Sequence, residues 1–291
     1  MEGVEHDLRG LGGVGRVRGH FLRAAVKAVW TPANITTALW LDAADTSTFY
    51  DATTGGSLVA NNGAIARWED KSGNARHATE STSGNRPLRV DAVQNARPVV
   101  RFDGTDDCLR IISPFLQATN TFTISWVFTR RGAGTGLDAY RPEIVGSAGG
   151  GGDGTYHFIK NSNNLGAAYP HYPSWGSYDF TSGTAYATGT FEIMQFRAAT
   201  SRWDIYRNGA VEGGYNIEPA LPTTYVHGGL VLARQDNPTR TSNIDMCEVI
   251  VNLGSLSAVD TQKLEGYLAH KWGLTANLPS DHPYKTTAPT T

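Results

Sequence analysis

Residues 191–214 read FEIMQFRAATSRWDIYRNGAVEGG and carry a strong signal for a β-hairpin. Its two halves, FEIMQFRA (191–198) and RWDIYRNGAVEGG (202–214), predict strands joined as an antiparallel hairpin unit. Asn208 and Gly209 predict a two-residue type I′ turn inside the second half, because both central positions of that turn need a positive φ angle. Antiparallel β-structure is therefore the first expectation for this protein.

Short strand-like segments continue outward from this hairpin along most of the chain. Each is bounded by Gly, Asp, Asn or Pro, which commonly terminate strands. The predicted strands lie within residues 38–43, 64–70, 97–104, 108–112, 122–130, 143–147, 155–160, 228–235 and 244–253. Together with the hairpin they predict an all-β antiparallel sandwich or jelly roll of two sheets, with helices only near the two ends of the chain.

The C-terminal region carries a helix signal that differs from everything before it. Ser257 predicts an N-cap and Asp260 completes a capping-box pattern. Leu264, Tyr267, Leu268 and Trp272 follow at helical spacing and define one apolar face. Gly273 predicts the end of the helix, and Pro279 prevents its resumption. We expect this helix to lie across one sheet or to cover an edge, with the LPSDHPY segment (278–284) as a strap; a site using His270 or His282 is the alternative.

Several segments, taken in order, resemble one known family. They are ALWLDAADTSTF (38–49), RWEDKSGNARHAT (67–79), RPVVRFDGTDDCL (97–109), WDIYRNGAV (203–211) and IDMCEVIVNLGSLSAVDTQKLEGYLAHKWGL (244–274). Over residues 35–285 the chain resembles concanavalin A-like jelly rolls of the laminin-G-like type. The closing phrase with LPSDHPY is also similar to proteins of tailed bacteriophages and marine bacteria. The resemblance implies a jelly roll over residues 31–285, followed by a tail at 286–291.

Composition and charge narrow the classes of function. The 291 residues include 33 Gly and 29 aromatic residues, only 18% are charged, and the net charge is −2. This balance predicts binding to neither nucleic acid nor an anionic membrane by the whole domain. No stretch approaches the length of about 18 apolar residues that a membrane span needs. Cys108 and Cys247 match no zinc spacing, so we expect two buried reduced thiols, with a disulfide as the alternative.

The first 30 residues differ from the rest and form the predicted N-terminal arm. The Gly-rich run GLGGVGRVRG (10–19) precedes HFLRAAVKAVW (20–30), whose apolar residues recur at the spacing of a short amphipathic helix. The apolar stretch is interrupted by basic residues, which does not suit a signal peptide. The arm is either a disordered leader or an anchor that folds on a partner. The anchoring residues we expect are Arg16, Arg18, Phe21, Leu22, Arg23, Val26, Lys27 and Trp30.

Catalytic patterns are weak in this sequence. Glycoside hydrolysis needs two carboxylates, which an E-x-D-x-E run would place on one face of a strand, and no such run occurs. The sequence therefore predicts that the chain is not an enzyme, with a polysaccharide hydrolase as the least favoured alternative. Asp103, Asp106 and Asp107 offer oxygens of the kind Ca²⁺ prefers. The same residues are also ordinary turn formers, and no other cofactor is expected.

An aromatic segment offers a second kind of site. YPHYPSWGSYDF (169–180) contains rings that either stack on sugars or fold inward over the sandwich edge. The residues concerned are Tyr169, His171, Tyr172, Trp175 and Tyr178.

From the arm and the resemblance to phage proteins, we predict a structural protein of a phage virion, anchored on capsid or tail proteins by its arm and displaying a jelly roll for surface glycans. By analogy we expect a homo-oligomer; a free-standing glycan-binding adhesin on a bacterial surface is the alternative.

Overall fold

A computed structural model describes residues 27–113, 115–118, 121–132, 134, 145–147, 155–158, 170–171, 187–216, 229–234 and 241–291. β-Strands are the main secondary structure of the described chain. The strands are β1 Leu39–Asp42, β2 Phe49–Tyr50, β3 Arg67–Trp68, β4 Ala78–Thr79, β5 Leu88–Gln94, β6 Arg97–Asp103, β7 Leu109–Ile111, β8 Phe122–Arg130, β9 Val145–Ser147, β10 Thr155–Phe158, β11 Pro170–His171, β12 Phe191–Ala199, β13 Arg202–Arg207, β14 Ala210–Asn216, β15 Leu230–Leu232 and β16 Asn243–Leu253. The α-helix, α1, spans Ala258–Trp272, and short 3-10 helices span Pro32–Asn34, Thr46–Thr48, Ser83–Asn85, Phe115–Ala118 and Thr275–Asn277.

The strands form two antiparallel sheets, as the sequence predicts. Sheet 1 has the order β14-β13-β12-β8-β16-β6-β5, and β1 also pairs with β16. Sheet 2 has the order β11-β10-β9-β15-β7-β4-β3-β2. On one edge of β16, β6 pairs with its first half and β1 with its second half, while β8 pairs along the whole other edge. The prediction of an all-β two-sheet sandwich is confirmed.

The core explains why the central strands are nearly continuous apolar runs. Eight successive residues of β8 and nine of β16 are buried, because both faces of these strands are covered. One face of sheet 1 meets sheet 2 and the other meets α1. Large fully buried side chains fill the core: Trp30, Trp68, Trp126, Trp272, Phe49, Phe102, Phe122, Phe128 and Phe196.

The predicted turn between β13 and β14 is present. Asn208 and Gly209 have φ angles of 51° and 83°, as a type I′ turn requires. Arg207 and Ala210 close the turn as a strand pair. The Asn208 side chain also accepts a hydrogen bond of 2.9 Å from the backbone N–H of Ile193, which ties the turn to β12.

The helix α1 has the ends that its sequence predicts. The Ser257 hydroxyl accepts the backbone N–H of Asp260 at 3.0 Å, and the predicted apolar face is buried. Gly273 has a φ of 69°, the left-handed conformation that ends the helix. The β5–β6 hairpin then satisfies the last helical carbonyls: Gln94 Nε2 donates to the Trp272 carbonyl at 2.6 Å, and Asn95 Nδ2 and Arg97 Nε each donate to the Lys271 carbonyl at 2.9 Å.

The end of the predicted arm is joined to the C-terminal tail. The backbone N–H of Trp30 donates to the Pro289 carbonyl, and that of Thr291 donates to the Ala28 carbonyl, each at 3.0 Å. Trp30 is 2% exposed and lies 6.1 Å from the ring of Tyr267. The structure therefore places Trp30 in the hydrophobic core, packed against α1, rather than on the arm's surface. Lys27 is exposed, and the other anchoring residues, Arg16, Arg18, Phe21, Leu22, Arg23 and Val26, lie outside the described residues.

Both cysteines are buried and unpaired, so the reduced-thiol alternative describes them. Cys108 donates to Glu80 Oε2 at 3.0 Å. Burial, together with this hydrogen bond, raises the pKa of the Cys108 thiol to about 12. Burial also raises the pKa of Cys247 well above its ordinary value. Thiols that stay protonated and buried are poor nucleophiles and metal ligands.

None of the helices among the described residues has the length and apolar character that crossing a membrane requires.

Candidate ligand-binding groove

A groove of about 520 Å³ lies on the outer face of sheet 1, beside α1. Its floor comes from β12 and β13, and one wall comes from α1. The other wall comes from the predicted strap, residues 278–284, which together with the following Lys285 we call the C-terminal strap. The lining residues are Thr123, Arg197, Ala198, Ala199, Asp204, Tyr206, Gly209, Ser255, Leu256, Ala258, Thr261, Gln262, Glu265, Pro279, Asp281, His282 and Pro283. Its volume falls within the range of pockets that hold small molecules.

The floor of the groove is a Tyr–Arg stack. The Arg197 guanidinium lies over the Tyr206 ring, 3.4 Å from its centroid. This is a cation–π geometry. Arg197 Nη2 also donates to Glu265 Oε1 on α1 at 2.6 Å and to Gln195 Oε1. Asp204 pairs with Arg197 across the β12–β13 strand pair and forms an ion pair of 2.7 Å with Arg202. The half-buried Tyr206 ring therefore sits among charged and amide groups.

His270 and His282 fasten the strap wall to α1. The sequence left open whether these two histidines form a site or serve the structure. The backbone N–H of Tyr284 donates to His282 Nδ1 at 3.2 Å, so the proton of the neutral imidazole lies on Nε2. That nitrogen donates to Glu265 Oε2 at 3.1 Å. His270 Nε2 lies 2.8 Å from the Tyr284 carbonyl. A Cβ on Gly266 would lie 2.4 Å from Tyr284 Cβ, so only a glycine lets the strap approach this closely.

A second polar cluster, under the other end of α1, fixes the helix to the sheet. Glu248, on β16, is fully buried, and each of its oxygens accepts two hydrogen bonds. Oε1 accepts Trp40 Nε1 at 2.7 Å and the Tyr267 hydroxyl at 2.9 Å. Oε2 accepts Trp272 Nε1 at 2.7 Å and Lys271 Nζ at 2.9 Å. Burial raises the pKa of Glu248, and the Lys271 ammonium opposes that shift. We call these five residues the Glu248 cluster.

Asp42 extends the Glu248 cluster toward the surface. It pairs directly with Glu248 across β1 and β16, and it accepts Lys271 Nζ at 2.6 Å and Lys71 Nζ at 2.9 Å. A shallow cavity of about 510 Å³ opens beside it. The carboxylates of Glu248 and Asp42 already accept hydrogen bonds from lysine ammonium or tryptophan indole groups. We therefore interpret this region as the attachment of α1 to the sheet rather than as a ligand site.

The aspartates of the DGTDD turn converge as a calcium site would need. Ligand oxygens of Asp103, Asp106 and Asp107 all lie within 4.8 Å of one another. Two of the three carboxylates also serve the turn: Asp103 Oδ1 accepts the backbone N–H of Thr105 at 2.7 Å, and Asp107 Oδ2 accepts that of Asp103 at 2.9 Å. Burial, with the charges of Asp103 and Asp106, raises the pKa of Asp107 to about 7. A divalent cation would offset this repulsion, so the three side chains fit such an ion, with water completing its coordination.

Calcium binding at this turn stays a prediction, and thermal unfolding can test it directly. Adding about 5 mM CaCl₂ to metal-free protein should raise the melting temperature by a few degrees, because an ion that binds only the native state stabilises it. MgCl₂ at the same concentration and the variant Asp106→Asn serve as controls. An unchanged melting temperature in Ca²⁺ would contradict the prediction.

The aromatic loop predicted as a sugar site lies mostly outside the described residues. The four predicted residues that lie outside the described part of the chain are Tyr169, Tyr172, Trp175 and Tyr178. His171 belongs to β11 and pairs with Thr155 of β10. The groove beside α1 was not predicted from the sequence. Its hairpin and its helix were each predicted, but no periodicity in the chain indicates that they face one another.

No family model matches the sequence, and neither does any curated protein. Solved structures do match. The sialidase of Trypanosoma rangeli, in complex with sialic acid, has a TM-score of 0.55 at 13% identity; the match covers 85% of this chain but 36% of the sialidase. Domain 4 of a GH43 extracellular arabinanase from Geobacillus stearothermophilus, in complex with arabinotriose, has a TM-score of 0.54 at 13% identity. That match covers 68% of this chain and 92% of the domain.

A third match is the binding domain of Paraclostridial Mosquitocidal Protein 1, with a TM-score of 0.50 at 13% identity, covering 68% of this chain and 49% of that one. At these identities the matches show the fold alone. This chain spans little more than a third of the sialidase's length. The concanavalin A-like resemblance is thus supported as a β-sandwich shared with these proteins.

The prediction that the chain is not an enzyme is wrong, because sialidases are among the structures that share its fold. That prediction relied on the absence of an E-x-D-x-E run along a single strand. The structure shows the weakness of the criterion: Asp42 and Glu248 are 206 positions apart and still pair on neighbouring strands. Carboxylates can therefore meet across a sheet without any pattern along the chain.

Proposed function

We propose that this protein binds glycans through the groove between β13, α1 and the C-terminal strap. The half-buried Tyr206 side chain on the groove floor carries the proposal. Arg197 covers one face of its ring, so a sugar would pack its C–H groups against the remaining exposed part of the ring while its hydroxyls take hydrogen bonds from the rim. Asp204, Gln262 and Asp281 line the groove with acceptors and an amide. The arabinotriose complex of the arabinanase domain supports the proposal, because it shows an oligosaccharide bound to a protein of this fold.

The walls of the groove support a preformed site. Glu265 bonds both the floor, through Arg197, and the strap, through His282. The strap is further held by Lys285 Nζ, which donates to the Ala276 carbonyl at 3.1 Å. Sites held in place by such contacts lose less conformational entropy when they bind a ligand.

Tyr206→Ala should weaken oligosaccharide binding at least about tenfold, as removal of a central aromatic side chain commonly does. Binding would first be found on a glycan array that includes arabinotriose and then measured by titration calorimetry. The chain offers a matched control: Tyr50, on sheet 2, is also half-buried under an arginine, with Arg67 at 4.2 Å from its ring centroid. Tyr50→Ala should leave the affinity unchanged. Equal losses in both variants, or an array without any hit, would contradict the proposal.

We also propose, from the resemblance of the C-terminal phrase to phage proteins, that the protein is carried on a virion by residues 1–30 as a homo-oligomer. The structures named above include no phage protein, so the proposal relies on the sequence. One contact supports it: Trp30 is held against the body beside residues 289–291, which gives an arm a fixed point of departure. Mass spectrometry of virions purified from the source system tests this proposal, and absence of the protein from those virions would refute it.

A further inference from the structure

The charges that line the groove are mostly negative. Three carboxylates, Asp204, Glu265 and Asp281, belong to the lining, and Arg197 is the one lysine or arginine among the lining residues that the structure describes. Both ring nitrogens of His282 already contact protein groups, Nδ1 the backbone N–H of Tyr284 and Nε2 the Glu265 carboxylate. The lining thus carries an excess of negative charge.

The Arg197 guanidinium is engaged by protein groups, and its unpartnered Nε is buried, so little of it is accessible to an acidic ligand. One face of its guanidinium is stacked on Tyr206, and Nη2 is shared between Gln195 and Glu265. Glu265 is 3% exposed, so its ion pair with Arg197 is shielded from water and from salt. Releasing the arginine to a ligand carboxylate would leave a buried glutamate without its cation, which is strongly unfavourable.

Two carboxylates remain at the accessible rim. Asp204 is offset by Arg202, an exposed partner whose screening by water makes the pair weak. Asp281 is exposed, and it has no ion-pair partner among the residues that the structure describes. Among the described lining residues, a ligand carboxylate entering the groove would therefore meet two rim carboxylates and no accessible, unpaired cation.

Resting on the proposed glycan-binding function, we infer that the groove accepts uncharged oligosaccharides and discriminates against acidic ones such as sialosides and uronic acid oligomers. Neutral hydroxyls suit this lining, since each can donate to the rim carboxylates and accept from the Gln262 amide. Discrimination then comes from repulsion of the wrong ligand as well as attraction of the right one.

The test uses pairs of oligosaccharides that have the same linkage and length, one neutral and one oxidised to a carboxylate at C6. Binding of each pair to the full chain is measured by calorimetry in about 20 mM and about 500 mM NaCl. We expect the neutral member to bind at least about fivefold more tightly in low salt, as one close charge repulsion in a wet groove would give. The ratio of the two affinities should fall toward one in high salt and in Asp281→Asn.

The outcomes separate this inference from the proposed function. Equal or tighter binding of the oxidised member, lost in Tyr206→Ala, would overturn the charge selection while leaving glycan binding in the groove intact. A ratio that neither salt nor Asp281→Asn alters would also overturn the selection, because repulsion by the rim would not be its cause. Absence of binding by every pair would refute the proposed function and this inference together.

Discussion

Replacing Glu248 by glutamine is expected to lower the free energy of unfolding by about 3–5 kcal/mol, the cost of removing one partner from a buried ion pair. Glutamine keeps one acceptor oxygen and replaces the other with an NH₂ group. In either orientation that NH₂ faces two donors that the carboxylate now accepts, for example Trp272 Nε1 and Lys271 Nζ. Lys271 also loses the fully buried negative charge that it faces, and the attachment of α1 to β16 weakens.

Denaturant unfolding monitored by tryptophan fluorescence measures this loss, because Trp40 and Trp272 both donate to Glu248. Glu69→Gln is the matched control. Glu69 forms an ion pair of 3.2 Å with Arg67, but its side chain is 34% exposed, so its loss should cost less than about 1 kcal/mol. Equal unfolding midpoints for Glu248→Gln and the wild type would show that the cluster does not hold the helix.

The local features of this fold could be predicted because they depend on neighbours in the chain. The positive φ angles of Asn208 and Gly209 follow from the turn type, and the Ser257 cap and the Gly273 stop follow from helix ends. Strand β8 was predicted with its observed bounds, Phe122–Arg130, because a long apolar run bounded by turn residues has few alternatives. In each case a segment of about ten residues contains the physical cause.

Other elements have causes that lie far away along the chain. Strands β2 and β4 have two residues each and exist only because sheet 2 pairs them, so no periodicity indicates them. Strand β5 is a partly exposed edge with a register shift, and Ala92 within it has a φ of 57°. Such a strand has neither alternating apolar and polar residues nor a continuous apolar run, so the sequence does not indicate it.

The RWEDKSGN segment shows how a correct local prediction can miss the larger role. The sequence predicts that the strand at 64–70 ends within this segment, and the structure bends over residues 71–74. It also shows that Asp70 accepts the backbone N–H groups of Trp40, Ser72 and Arg76, at 2.9, 2.9 and 3.0 Å. The turn is therefore bound to β1, 30 residues away, beside the Glu248 cluster. The contact with Trp40 depends on the three-dimensional fold, which no local pattern encodes.

The candidate groove was missed for the same reason. Arg197 comes from β12, Tyr206 from β13, Glu265 from α1 and His282 from the strap. Each has an ordinary interpretation within its own segment: a charged strand residue, a strand aromatic, a helix residue and a tail histidine. Only the crossing of α1 over sheet 1 brings them together, so the one candidate sugar site that the sequence indicates is the aromatic loop, whose rings could equally fold inward.

Asp107→Asn is expected to stabilise the protein at neutral pH when metal ions are removed by a chelator. Burial, with the neighbouring charges of Asp103 and Asp106, raises the pKa of Asp107 to about 7 in the folded chain, against an ordinary value of 3.8. Below pH 3.8 both states hold the proton, so the group contributes nothing. As the pH rises toward 7 the unfolded chain ionises first, and the folded state loses stability by up to a few kcal/mol, less what solvent screening of the carboxylate removes.

Asparagine has no such titration, and its Oδ1 can still accept the backbone N–H of Asp103 that Asp107 now accepts at 2.9 Å. The difference in unfolding free energy between variant and wild type should therefore grow from near zero at pH 4 to its maximum above pH 7. Denaturant unfolding in EDTA at about five pH values between 4 and 8 measures it. Curves that stay parallel across this range would mean that Asp107 ionises in the folded protein as readily as in the unfolded chain, so that the crowding of these three carboxylates imposes no cost.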